Sequence, residues 1–289
     1  MRHRRTSVAA PSPVGRSAWQ SLRSHWPEYL IEAAALGIFM ISAGAFTALL
    51  ESPHSWLGRV QLAPSLKRAV IGLAMGGTAA GLIYSPWGQR SGAQMNPSIT
   101  LTYLRLGRIP RWDAVFYILF QAAGGLAGVL LTAGILRAAF TQPPVNYVVT
   151  VPGPAGSAAA FAGELIAGAI MMGMILVVSD RPAIARFTGL CAGLLIACDV
   201  EFEAPLSGFG MNPARTLASA LPSGIWTGLW IYLTAAPLGM LLAAQGYLVL
   251  GRPEALPCCK LHHGSRDTCI YCGRRSVDPS GPASASAGG

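Results

Sequence analysis

The chain twice interrupts itself with the same phrase. "GAQMNPSIT" at 92–100 and "GFGMNPART" at 208–216 both carry Met-Asn-Pro followed by a small residue, with the two asparagines 116 positions apart. Asn-Pro marks a turn or a helix start, because Asn caps and Pro is tolerated where a helix begins. Each phrase leads into a short apolar stretch, "SITLTYLRL" and "ARTLASAL". About eight residues of helix rise ~12 Å, enough to enter a bilayer but not to cross its ~30 Å core.

The surroundings make a membrane the expected solvent. Only 11% of residues are charged, 52% are hydrophobic and mean hydropathy is +0.46, against roughly 25% charged in soluble domains. Six stretches, at about 28–50, 66–84, 112–137, 158–178, 186–200 and 224–250, are expected to span. An even number of spans puts both ends on one side. If that side is the cytoplasm, the tails and inner loops hold 16 of the 21 Lys and Arg, as the positive-inside rule requires. The net charge of +9 sits mostly in the two tails and forms no basic helix interleaved with aromatics, so nucleic acid is excluded as a partner. Residues 1–25, basic and rich in Ser and Pro without an apolar run, read as a disordered cytoplasmic tail rather than a signal peptide.

The first phrase follows the second span and the other follows the fifth, so the two short helices enter from opposite faces. That arrangement is an inverted repeat, with halves at about 28–137 and 158–250 inside a unit at 26–250. The fold class is therefore all-α: six transmembrane helices plus two re-entrant half-helices. Glu32 and Glu164 sit near the start of corresponding spans, and an intramembrane carboxylate is costly enough to need a role. The half-helix N-termini meet near the midplane, with Asn96 and Asn212 as caps whose amide N–H groups are free to donate into the space between.

These features identify a resemblance to the aquaporin and glycerol-facilitator (major intrinsic protein) family over about 28–250. "SGAQMNPSIT" and "SGFGMNPARTL" resemble its two signatures, "GELIAGAIMMGMILVVSDR" its fourth helix and "WIYLTAAPLGMLLAA" its sixth. The resemblance implies a passive, cofactor-free channel for water and small neutral solutes, and a homotetramer in the lipid. It places Asn96, Pro97, Ser98, Asn212, Pro213 and Ala214 at the pore constriction and Arg215 in the outer selectivity filter. Glu32 and Glu164 become buried braces of the interrupted loops. It also implies exclusion of protons by Arg215 and two positive helix ends, a mechanism already described for aquaporins.

Departures from the family pattern bear on the solute. Ser98 replaces the usual Ala, its hydroxyl either joining the constriction or bonding to backbone. Gln94 replaces a common His. Val200 stands where water-selective members carry His, Phe209 where glycerol facilitators place an aromatic, and Met75 or Gly76 completes the filter. A filter of Arg, Phe and Val accommodates the carbon face of glycerol while Arg215 binds its hydroxyls; uncharged metalloid hydroxides are a further solute class. Thr216, where glycerol facilitators usually carry Asp, points the other way. Asp199, Glu201 and Glu203 read as a solvated acidic rim or as a pH- or cation-responsive vestibule. An ion-coupled secondary transporter is the rival class, because inverted repeats and intramembrane carboxylates suit that role too.

The tail at 251–289 lies outside the resemblance. Its segment "CCKLHHGSRDTCIYCGRR" pairs Cys259-x2-His262 with Cys269-x2-Cys272, three thiolates and an imidazole that suit tetrahedral zinc. Cys258 and His263 are alternative ligands. In a reducing cytoplasm metal binding is a better use of clustered cysteines than disulfides. A metal-folded tail within 258–273 would be placed to cap the cytoplasmic mouth or to dock a partner.

Overall fold

The computed structural model of the chain describes residues 17–251, 258–263 and 269–273. Its helices run in the order α1 (Ala18–Glu51), α2 (Pro64–Tyr84), α3 (Pro86–Ser91), α4 (Pro97–Arg105), α5 (Arg111–Leu136) and α6 (Ala138–Thr141). The second half follows with α7 (Gly156–Ser179), α8 (Thr188–Phe202), α9 (Ala204–Ser207), α10 (Pro213–Ser223) and α11 (Leu229–Gly246). Five of the six expected spans are long and apolar enough to cross a membrane by length and composition. The remaining span, α8, has 15 residues, about 22 Å of rise, and a 3₁₀ turn at Ala185–Phe187 precedes it. α4 and α10 are the short half-helices.

Two boundaries correct the sequence reading. Within the expected tail 1–25, helix already begins at Ala18, because "SAWQ" is a capping box: Gln20 N donates to Ser17 Oγ and Ser17 N to Gln20 Oε1 at 2.9 Å. Two orphan donors of the helix start are satisfied reciprocally. The helix departs from α geometry at His25, φ −124°, two residues before Pro27, as expected where a proline removes an intrahelical bond. Residues 1–16 lie outside the described residues. The sixth span starts at Leu229 rather than 224, since Gly224 and Gly228 take φ of +68° between α10 and α11.

Backbone contact at small residues sets how the spans pair. α1 crosses α5 so closely that a Cβ on Gly124 would lie 2.0 Å from Ala33 O. The second half repeats the crossing: a Cβ on Gly239 of α11 would lie 2.0 Å from Leu165 O of α7. α2 meets α8 between the halves, where a Cβ on Gly76 would lie 2.1 Å from Gly193 O. Small residues substitute for the hydrophobic drive that helices lack in lipid. α10 packs on α5 and α4 on α11, so each half-helix leans on the opposite half.

Candidate functional site

The two loops before α4 and α10 are built alike, atom for atom. Ser91 Oγ donates to Glu32 Oε1 at 2.8 Å, and the backbone N–H groups of Gln94 and Met95 donate to the same carboxylate at 3.0 and 2.6 Å. In the second half Ser207 Oγ donates to Glu164 Oε1 at 2.7 Å, with Gly210 N and Met211 N each 2.5 Å from that carboxylate. Tyr117 donates to Ser91 O at 2.6 Å and Tyr232 to Ser207 O at 2.5 Å. Glu32 also accepts from Gln121 Nε2 at 2.9 Å.

Both glutamates are fully buried, and each satisfies backbone groups that an irregular loop would leave orphaned at membrane depth. They also hold costly backbone. Ala93, Met95, Phe209 and Met211 all take φ near +50°, a region that costs a non-glycine residue roughly 1–3 kcal/mol.

The same scaffold brings the caps together. Asn96 Oδ1 accepts from Ser98 N at 2.8 Å, and Asn212 Oδ1 from Ala214 N at 3.1 Å and Arg215 N at 3.2 Å. Asn96 Nδ2 donates to Met211 O at 3.0 Å, and Asn212 Nδ2 to Met95 O at 2.6 Å. The caps are therefore not wholly free, contrary to the sequence reading: one N–H of each clamps the opposite loop, leaving one amide proton apiece for the space between.

That space is a cavity of about 80 Å³ bounded by Asn96, Asn212 and Arg215 with Met75, Ile196 and Phe209 among its apolar walls. Arg215 is buried, and its Nη1 meets no hydrogen-bond partner among the described residues.

Other expected site residues fall less simply. Met75 rather than Gly76 reaches the cavity, because Gly76 is spent on the contact with Gly193. Val200 is buried one turn beyond the cavity-lining Ala192 and Ile196, over Gly72. Pro97 and Pro213 open their helices, and Ala214 is buried beside them. Ser98 is fully buried, and its Oγ has no partner among the described residues, so the bond to backbone expected as one of its uses is not formed.

The acidic rim is not simply solvated. Glu201 pairs with Arg68 at 3.5 Å. Glu203 is buried, and that burial, with the Glu164 carboxylate next, pushes its own carboxyl up to about 8.

At the opposite end the tail is seated in the mouth. Gln94 Nε2 donates to Cys259 O at 3.0 Å, Leu261 N to Gly92 O at 3.2 Å and Lys260 Nζ to Gln89 O at 3.1 Å. Leu261 lines the same cavity as the asparagines. Gly92, at φ +112°, lies under Lys260, whose Cγ would be 3.2 Å from a Cβ there. Of the expected metal set, Cys269 and Cys272 fall together, while Cys259 is fully buried with its carbonyl engaged by Gln94 and His262 packs edge-on against Tyr84 at 5.0 Å.

The residues brought together are instead Cys258, His263, Cys269 and Cys272, their ligand atoms all within 4.8 Å of one another. Hydrogen bonding to Cys269 and then Cys272 holds His263 up at about 9. The sequence contains all four residues. It lacks the register, because spacing patterns such as Cys-x2-His do not say which of two adjacent cysteines or histidines turns inward.

Two re-entrant half-helices meeting cap to cap inside a bundle of spans define a membrane protein of the inverted-repeat class. The family model for major intrinsic proteins matches residues 18–247, and the chain belongs to that family. Among curated relatives it is similar to a probable NIP-type aquaporin of Nicotiana alata, 36% identical over 55% of this chain and 58% of that one. It is also similar to aquaporin NIP1-3 of Oryza sativa subsp. japonica, 35% identical over 57% of this chain and 56% of that one. The chain thus spans less than two thirds of the length of these relatives. The solved aquaglyceroporin of Plasmodium falciparum shares the fold, with a TM-score of 0.68 at 20% identity over 80% of this chain and 98% of that one.

Proposed function

We propose that the chain is a passive channel, not an enzyme, for water and small uncharged solutes of glycerol size. Its pore is the cavity between Asn96, Asn212 and Arg215. The carrying observation is the reciprocal clamp, Asn96 to Met211 and Asn212 to Met95, at the heads of two half-helices. One amide proton of each Asn and the unpartnered Nη1 of Arg215 are donors for a passing oxygen. Met75, Ile196 and Phe209 offer hydrocarbon to the other side of the solute. Glycerol carries both kinds of surface, and uncharged metalloid hydroxides share its size and neutrality. Two helix N-termini and a guanidinium repel cations from the narrowest part.

Ion coupling is disfavoured by Glu32 and Glu164. Their oxygens are occupied by loop N–H and hydroxyl donors, so both act as braces. The basic residues of tails and inner loops favour both ends on the cytoplasmic side, which makes the Gln94 end the cytoplasmic mouth. The channel unit at 26–250, extended back to Ala18, is taken to assemble as a tetramer with one pore per protomer. Conduction requires no cofactor, and any metal belongs to the tail.

Proteoliposomes carrying the full chain or the Leu261→Ala variant test this by stopped-flow light scattering. Re-swelling in glycerol faster than empty vesicles, linear in the gradient and indifferent to an imposed pH difference, is expected. Saturable uptake that follows a proton or sodium gradient would overturn it.

A further inference from the structure

We propose that Cys258, His263, Cys269 and Cys272 form a tetrahedral site for zinc or a similar thiophilic divalent ion, and that the bound metal fastens Leu261 across the cytoplasmic mouth as a plug. The metal site stands on its own geometry. The plug rests on the channel reading above.

Three sulfurs and an imidazole nitrogen converge from two short segments, 258–263 and 269–273, that contain no helix or strand among their described residues. Two of the edges match those of one bound ion. Zinc bound at 2.3 Å to sulfur and 2.0–2.1 Å to nitrogen sets tetrahedral edges of about 3.8 Å between sulfurs and about 3.6 Å between sulfur and nitrogen. Cys258 Sγ lies 3.7 Å from Cys269 Sγ, and Cys272 Sγ lies 3.4 Å from His263 Nε2. Segments this short cannot build a core of their own, and a metal supplies the folding free energy they lack.

The ligands also bracket the plug. Cys258 and His263 stand on either side of Leu261, so one ion closes a six-residue strap with the leucine in its span. Leu261 is 3% exposed and lines the cavity together with Gln94 and Asn96. The strap is stitched to the mouth at Cys259 O, Lys260 Nζ and Leu261 N. On the other ligand segment, Tyr271 donates to Tyr117 OH at 2.8 Å, and Tyr117 in turn donates to Ser91 O. Both halves of the metal site are thereby anchored to the loop that carries Asn96. Removing the ion frees the two strap ends from each other and leaves only individually weak bonds to hold Leu261 down.

The test begins with cobalt(II) added to the purified, metal-free full chain. One equivalent should bind with thiolate-to-cobalt charge transfer and the intense d–d absorption of a tetrahedral site. Cys269→Ser and His263→Ala should lose that signature, while Cys259→Ser and Leu261→Ala keep it. Absence of the signature, or its loss in Cys259→Ser with retention in Cys258→Ser, overturns the site.

Water permeability of proteoliposomes then reads the plug. Zinc-loaded protein should be slower than chelated protein by roughly fivefold or more, and zinc-loaded Leu261→Ala should match the chelated protein. Equal permeability in every state, all above empty vesicles, overturns the plug and leaves the channel reading standing. Permeability at the level of empty vesicles in every state, Leu261→Ala included, overturns the channel reading and the plug with it.

Discussion

The side-chain amide of Gln94 donates to the carbonyl oxygen of Cys259 at 3.0 Å, while its own oxygen accepts from Thr100 Oγ1 at 2.7 Å. One residue of the first signature is thus bound both to the half-helix α4 and to the tail. A primary amide suits that position because it donates and accepts at opposite corners. Gln94 and the Cys- and His-rich tail are two parts of one arrangement.

Gln94→Leu removes the bond to Cys259 and should loosen the seated strap. A hydrogen bond of this kind contributes about 1 kcal/mol net, so the ratio of chelated to zinc-loaded permeability should fall roughly fivefold toward one. Using the ratio cancels any effect of the new side chain on the pore itself.

Glu164→Gln should fail structurally rather than uncouple transport. The new amide keeps one acceptor oxygen and turns its NH2 either toward Met211 N or toward Gly210 N and Ser207 Oγ, which are donors themselves. Leaving a buried N–H unsatisfied costs about 1–3 kcal/mol. The thermal transition of detergent-solubilised protein, followed by tryptophan fluorescence, should drop clearly. A variant that stays equally stable would contradict the bracing role.

Adjacent glycines in α2 provide a controlled pair. A Cβ on Gly76 would sit 2.1 Å from Gly193 O, whereas one on Gly77 would meet nothing within 4 Å. Gly76→Ala must push α2 from α8 and should destabilise by about 1–3 kcal/mol. Gly77→Ala should be neutral or stabilise by up to about 1 kcal/mol. Comparing the two thermal transitions decides whether the Gly76 contact is as tight as described.

The raised carboxyl of Glu203 gives a pH dependence with a definite sign. Its ordinary value is 4.5 and its folded value about 8, from burial first and Glu164 next, with Asp199 adding to the rise and Arg215 opposing it. Between these values the folded chain binds more protons than the unfolded one, so stability falls as pH rises from about 4.5 and levels off above about 8. Glu203→Gln lacks this loss. Its advantage over the parent in thermal stability should grow across that window and stay constant beyond it.

Much of this was legible in the sequence because membrane physics restricts the alternatives. Two Asn-Pro starts, each with half a bilayer of apolar helix behind it, force re-entrant geometry, and Glu32 and Glu164 announce themselves by their cost. What the sequence left open depends on which way one face turns. Met75 and Gly76 differ by 100° around α2, and only the contact with Gly193 assigns Gly76 to packing. Cys258 or Cys259 and His262 or His263 are likewise separated by backbone direction, and no residue spacing specifies that. Ser17-x-x-Gln20 was readable as a helix start; the basic, Ser-rich surroundings masked it.

The most direct measurement is the osmotic shrinkage rate of proteoliposomes carrying Leu261→Ala, compared with the same variant carrying Asn212→Leu as well. If solutes pass between the two asparagine caps, the first shrinks well above empty vesicles and the second falls to their level. Equal rates in the two would contradict a pore at the meeting point of α4 and α10.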